Sequence, residues 1–277
     1  MTEEVLRACA AGQISPQIAV ARLVLSGSAV DAQALAARAG LEPAGSPLRV
    51  AAALAADHAP RLARLGRIAA DGLDPEGPDL LAATAALFDR LAAVEPEAAV
   101  AFYSLGDPAL LAAATAELVA VVRAWVPIDG RAVLDFGSGI GRLATALAPD
   151  AGRVVGVDIS AGMVEQARER AAGSVNVAFE ATDGGVLPFA DGSFDLAIAV
   201  DSFPYLVRAG VLAVQMAEMA RVLRPGGDLL VFNWSYRGDD AADAREAEGA
   251  PGFELVRSRE RPFAIWDGVG YHLRRLP

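Results

Sequence analysis

The segment Val133-Leu134-Asp135-Phe136-Gly137-Ser138-Gly139-Ile140-Gly141-Arg142 combines an apolar run, a carboxylate and glycines at every second position. Such a run reads as a buried strand, a tight turn and the start of a helix. Glycines at 137, 139 and 141 let the backbone turn sharply and approach a ligand with no Cβ in the way. A dinucleotide loop, G-x-G-x-x-G, would need glycine at 142, where this chain has Arg142, and Asp135 would set a carboxylate near a pyrophosphate. An acid two residues before the first glycine suits the cationic part of a ligand instead, such as an amino group. Seventeen residues after Gly141, Val155-Gly156-Val157-Asp158 ends a second apolar run in a carboxylate able to accept both hydroxyls of a ribose. The two segments together ask for a nucleoside that carries no phosphate.

Other chemistries are excluded by composition. The 24 basic residues are all Arg, so no phosphate-loop, kinase-type or Schiff-base Lys exists. One cysteine, Cys9, and two histidines, His58 and His272, rule out a Cys/His zinc site or an internal disulfide, and no metal is expected. No G-x-S-x-G elbow occurs. With 35 acidic residues the formal charge is −11, which disfavours nucleic acid as a partner. His58 lies in an Ala-rich helical stretch and His272 in a strand-like run, so both read as structural. The N-terminus carries acids where a secretory signal would be positive, and no uncharged apolar run approaches 18 residues. A cytoplasmic protein with no membrane partner is expected.

These residues need elements to hold them. Residues 1–105 are rich in Ala, Leu and Arg at helical spacing, with Ser15-Pro16 and Ser46-Pro47 as helix starts. Asp31 begins another helix ending at Gly40, Gly72 to Pro78 is a breaker cluster, and Asp79 starts a further helix. Gly106-Asp107-Pro108 opens a helix to about Val126. Strands are then expected at Ala132 to Phe136, Arg153 to Asp158, Val175 to Glu180, Phe194 to Val200 and Asp228 to Trp234, with helices near Gly141 to Leu147, Ala161 to Ala172 and Val211 to Leu223. The runs Phe253 to Arg261 and Gly270 to Leu276 suggest a closing antiparallel hairpin. Strand–helix alternation at this spacing argues for an α/β, Rossmann-like, doubly wound and mostly parallel seven-stranded sheet.

The motifs resemble those of the class I S-adenosylmethionine-dependent methyltransferases, whose first motif is D-x-G-x-G-x-G, matched by Asp135, Gly137, Gly139 and Gly141. The resemblance extends over about residues 103–277. Ala181-Thr182-Asp183-Gly184 before Leu187-Pro188-Phe189 is similar to the family's segment after the third strand, which implies that Asp183 meets the adenine amino group. Asp191-Gly192-Ser193-Phe194-Asp195 and Leu223-Arg224-Pro225-Gly226-Gly227 resemble its entry to strand four and its turn before strand five. The resemblance therefore implies S-adenosyl-L-methionine as cofactor, held by Asp135, Gly137, Gly139, Gly141, Asp158, Ile159, Met163, Asp183 and Gly184.

In this family the acceptor mouth is formed after strands four and five. Here those segments are Asp201-Ser202-Phe203-Pro204-Tyr205 and Asn233-Trp234-Ser235-Tyr236-Arg237. The first is similar to the [DNS]-P-P-[YFW] motif of enzymes that methylate planar amino groups, with Phe203 in place of the first Pro. Ser202 and Tyr205 are expected to position the acceptor, and Tyr103, Asp201, Phe203, Asn233 and Tyr236 to line its site. A small-molecule methyltransferase is thus expected, with nitrogen favoured over oxygen as the acceptor atom. The alternatives are a protein or nucleic-acid methyltransferase and a non-catalytic cofactor-binding or assembly protein. On this reading residues 106–277 form the catalytic domain, and 1–105 form a helical lid or a homodimer surface.

Overall fold

Short β-branched runs become strands where glycine or aspartate ends them, and the Ala/Leu-rich stretches between become helices. The computed structural model describes residues 2–26, 32–71 and 79–277, so the expected helix start at Asp31 and the breaker cluster Gly72 to Pro78 lie outside the described residues. In chain order the elements are α1 (Thr2–Ala10), α2 (Pro16–Leu25), α3 (Ala32–Ala39), α4 (Pro47–Asp57), α5 (Ala59–Ala70), α6 (Leu80–Val94), α7 (Pro96–Val100), a single 3₁₀ turn (Phe102–Ser104) and α8 (Pro108–Trp125). There follow β1 (Ala132–Phe136), α9 (Arg142–Leu147), β2 (Arg153–Asp158), α10 (Ala161–Arg170), β3 (Val177–Ala181), β4 (Phe194–Val200), α11 (Phe203–Ala209), α12 (Leu212–Val222), β5 (Leu223–Phe232), α13 (Asp240–Glu248), β6 (Phe253–Glu260) and β7 (Gly270–Arg275).

The described residues divide into two units that interleave along the chain rather than meeting at a single cut between residues 105 and 106. One contains α1 to α5, α7, the start of α8 as far as Glu117, and Phe263–Asp267. The other contains α6, the rest of α8 from Leu118 and the sheet with its helices.

In the helical unit Ser15 caps α2 by accepting the Ile18 N–H at 3.1 Å, and Ser46 caps α4 by accepting that of Arg49 at 3.4 Å. Both are followed by a first-turn Pro, the arrangement expected from sequence. The single long helix expected after Ser46 is two, because Pro60 breaks the pattern and His58 stands at the junction. Val20, Leu23, Leu48, Leu62, Leu65 and Leu105 fill this unit's core. Tyr103, expected at the acceptor site, is buried here and stacks on Trp266 with ring centroids 5.6 Å apart.

The sheet unit has the strand order β3-β2-β1-β4-β5-β7-β6. The first five run parallel, while β7 pairs antiparallel with both β5 and β6. β1, β2 and β4 have the bounds expected from sequence, and β3 begins two residues later. The segment after β4, read from sequence as a loop, is helix α11, with Pro204 in its first turn and Gly210 ending it at φ 72°. Because β1 lies between β2 and β4, the strand order reverses there, and the carboxyl ends of β1 and β4 form the switch point at which ligands bind in sheets of this kind.

Candidate functional site at the switch point of the sheet

At these strand ends the glycine loop and the start of α11 lie against each other. Gly137 has φ 74°, and a Cβ there would lie 2.5 Å from the Ser202 Cβ. Only glycine allows the two segments to approach so closely. At Gly141, φ 75°, a Cβ would meet the Phe179 ring at 2.5 Å. The loop is tied to β2 by N–H groups of Gly137 and Ser138, both donating to the Val157 carbonyl at 2.8 and 2.9 Å.

Asp158, at the end of β2, stands beside that loop. Its Oδ2 accepts the Gly139 N–H at 2.8 Å and its Oδ1 the Ser160 N–H at 2.9 Å. A carboxylate has about four lone-pair positions, so acceptor capacity remains for a ligand hydroxyl. Burial raises its pKa, against the N–H bonds from Ser160, Gly139 and Ile159, and the charge of Asp89 adds to the rise.

Three expected contacts lie beneath the site rather than on its surface. Asp135 is 2% exposed, and its Oδ2 accepts the Ala144 N–H at 3.1 Å, anchoring the start of α9 below the loop. Burial pushes its carboxyl up to about 7, although that N–H and the charge of Arg142 oppose the shift. Met163 is 1% exposed on the inner face of α10. Phe203 is fully buried, edge-on to Phe136 at 6.4 Å and to Trp234 at 5.3 Å. The last two side chains are buried in the packing of the sheet unit.

Asp183 is exposed, and its Oδ1 accepts the Gly185 N–H at 2.8 Å in a local side-chain turn. The loop after it is held from α12. Gln215 Nε2 donates to the Gly184 and Gly185 carbonyls at 2.5 and 2.9 Å, and Arg221 donates to the Leu187 and Phe189 carbonyls at 2.9 and 2.6 Å. Ile159 faces Gly184, its Cγ2 lying 3.6 Å from where a Cβ on that glycine would be.

After β4 and β5 the polar groups converge. Asp201 Oδ1 accepts from Asn233 Nδ2 at 2.7 Å and from the Tyr236 hydroxyl at 2.9 Å. Ser202 Oγ donates to the Phe136 carbonyl at 3.0 Å, which fixes it against β1. Tyr205 stands edge-on to Tyr236 at 6.2 Å and to Phe88 at 5.4 Å. Arg237, bonded to Asp243, Glu246 and Ser235, holds the segment that carries Tyr236 against α13.

The helix expected after Asp79 forms as α6, but sequence reasoning gave it no part in the site. Leu81 lies 3.1 Å from a Cβ built on Gly184, Phe88 meets Tyr205, and Asp89 bonds Ser160 and Gly162 at the start of α10. Its Ala/Leu spacing says only that one face is buried, and carries no signal for what it covers. Among the described residues no group of three His, Cys, Asp or Glu is placed to hold a metal ion.

Residues 133–227 match a family model described as "Methyltransferase domain". A 2-methyl-6-phytyl-1,4-hydroquinone methyltransferase of Synechocystis is 37% identical over 128 residues, 44% of this chain and 39% of that protein. A demethylmenaquinone methyltransferase of Clavibacter sepedonicus is 38% identical over 119 residues, 42% of this chain and 46% of that protein. The chain thus spans less than half the length of these curated relatives. A crystal structure of a SAM-dependent methyltransferase from Aquifex aeolicus superposes with a TM-score of 0.50 at 21% identity, covering 61% of this chain and 93% of that one, and shows the fold alone.

Proposed function

We infer, from the D-x-G-x-G-x-G loop and the match of residues 133–227 to a methyltransferase domain, that the chain transfers a methyl group from S-adenosylmethionine to a small-molecule acceptor. The observation that carries this reading is the switch point of the sheet, where a glycine loop pressed against Ser202 lies beside a ribose-type carboxylate, Asp158, with acceptor capacity remaining. The residues fit the cofactor. The buried Ser138 Oγ, in the middle of the glycine loop, has no partner among the described residues.

The bound cofactor supplies an electrophilic methyl group on a sulfonium. This chain's residues bind, align and shield. Asp158 accepts the ribose hydroxyls, Asp183 receives the adenine amino group, and the loop from Gly137 to Gly141 cradles the amino-acid portion. Asp135 contributes charge from below the loop without direct contact. In-line displacement needs little covalent help, so alignment and exclusion of water supply much of the acceleration.

The acceptor sits at Ser202, Tyr205, Asp201, Asn233 and Tyr236. Nitrogen is favoured as the methylated atom, because Ser202 Oγ and Asp201 present lone pairs suited to the hydrogens of an amine. A second reading, a quinone or hydroquinone acceptor, is favoured by the names of the curated relatives.

Calorimetry should show binding of S-adenosylmethionine or S-adenosylhomocysteine and none of NADH. Asp158→Ala should weaken that binding by roughly 1.5–3 kcal/mol, the scale of hydrogen bonds to a charged group. A labelled-methyl screen of lysate fractions should place the label among metabolites, with product analysis assigning nitrogen, oxygen or carbon. Equal or tighter NADH binding would sink the assignment.

A further inference from the structure

Asp89 is an α6 residue with no partner on its own helix among the contacts that define it. Its Oδ1 accepts two hydrogen bonds from the first turn of α10, from the Ser160 hydroxyl at 2.6 Å and from the Gly162 N–H at 2.8 Å. Ser160 is fully buried and is engaged at three points. Its backbone N–H donates to Asp158 Oδ1 at 2.9 Å, its Oγ accepts the Met163 N–H at 3.1 Å, and that Oγ gives its own proton to Asp89.

A serine hydroxyl has a single proton, and giving it to Asp89 leaves the lone pairs of Oγ turned toward the Met163 N–H. The N-cap geometry of Ser160 is therefore set from α6. The same residue's N–H fixes one oxygen of Asp158, so the chain Asp89, Ser160, Asp158 is continuous and begins outside the sheet and its loops. Leu81 and Phe88, which α6 sets against Gly184 and Tyr205, show that the helix lies along the whole site.

We propose that Asp89 is a positioning residue for cofactor binding, acting through Ser160 to aim the Asp158 carboxylate at the ribose hydroxyls. The proposal rests on the reading of Asp158 as a ribose acceptor and assigns that function a second residue on an element remote in sequence. Asp89 touches no ligand. Its effect depends on the ribose diol and on an oxygen acceptor at position 89, not on the negative charge.

The test is calorimetry with S-adenosylhomocysteine and with its 2′,3′-dideoxy analogue on the full chain and on Asp89→Ala, Asp89→Asn and Ser160→Ala. Asp89→Ala and Ser160→Ala should each weaken S-adenosylhomocysteine about tenfold and the dideoxy analogue less than twofold. Asp89→Asn, whose amide oxygen can still accept both bonds, should stay within threefold of wild type. Unchanged affinity in Asp89→Ala overturns the proposal, and so does an equal loss for both ligands, which would mean that α6 only packs. Thermal melting of each variant without ligand identifies any that fail to fold, and for those the Asp89→Asn comparison decides: a tenfold loss there overturns the proposal. If the wild-type chain binds no S-adenosylhomocysteine, the cofactor reading falls and takes the proposal with it, an outcome distinct from wild-type binding with an indifferent Asp89.

Discussion

Asp201 and Asn233 hold left-handed backbone, φ 55° and 66°, at the ends of β4 and β5, and their side chains bond each other. Asp and Asn are the non-glycine residues that tolerate this conformation best, and such strain persists where surrounding bonds over-determine it. Tyr236 adds a second bond to Asp201 and brings its ring to Tyr205. Tyr205→Ala removes the ring at the centre of this group and should lower kcat/KM at least tenfold, about 1.4 kcal/mol of transition-state stabilisation, with cofactor affinity nearly intact. Wild-type kinetics would show that the ring only packs. Asp135 makes a different prediction. Its carboxyl titrates near 7 in the folded chain against an ordinary 3.8, so the folded state holds the extra proton between those values. Its contribution to stability therefore falls as pH rises through that window. Over the same range the charge beneath the loop becomes more negative, so affinity for the ammonium-bearing S-adenosylhomocysteine should rise several-fold from pH 6 to 8. Asp135→Asn should flatten that profile, and a flat wild-type profile would remove Asp135 from ligand electrostatics. What was legible at this scale is what is local. Left-handed glycines at 137, 139 and 141 announce themselves by spacing, whereas the burial of Met163 and Phe203 depends on strands far off in the chain.

β5 begins at Leu223, inside the stretch expected as a turn, whereas β1, β2 and β4 were read closely because a buried parallel strand has a continuous apolar run and a sharp glycine or aspartate end. α11 and α13 were not, since each is short, and α13 begins with a run of acids around its Asp239 cap that reads equally as a loop. β5 and β7 carry a feature at the opposite edge from the site. Asp228 accepts from Arg131 at 2.8 Å, lies 2.8 Å from His272 Nε2 and 3.3 Å from Arg274, and so joins the start of β1 to β5 and β7. Burial pushes its carboxyl up, but the bonds from His272 and Arg131 together hold it down at about 2. An acid with a depressed folded pKa stabilises fully above the ordinary 3.8 and loses that contribution as pH falls toward 2. Asp228→Asn should cost on the order of 3–5 kcal/mol, the scale for removing one partner of a buried pair. Denaturant unfolding reads this loss, which should shrink below pH 3, while S-adenosylhomocysteine affinity at neutral pH stays unchanged. A loss of affinity matching the loss of stability would mean that the two edges of the sheet are coupled.

At the scale of the chain, the region before residue 106 reads as one helical block, yet the structure assigns α6 to the sheet unit, and assigns Phe263–Asp267 with residues 95–117 to the helical one. α6 packs on α10 and α11, and Glu117 accepts the N–H groups of Ala264 and Ile265, pairings that no periodicity encodes. Charge, by contrast, is a whole-chain property that the sequence gives directly. With −11 formal charges and every cation an Arg, many of them paired to carboxylates, the surface offers few groups to displace counterions from a phosphate backbone. A chain that methylated nucleic acid would bind RNA or DNA at low salt and lose that binding steeply as salt rises, because each phosphate contact adds close to one power of salt dependence. The small-molecule reading expects the reverse. Mobility-shift titrations at about 50 mM salt, with and without S-adenosylhomocysteine, should show no complex with duplex DNA, single-stranded DNA or structured RNA at micromolar protein. A shift that appears at 50 mM and fades by 200 mM would restore nucleic acid as the acceptor, and would move the search for recognition residues from Ser202 and Tyr205 to the helical unit.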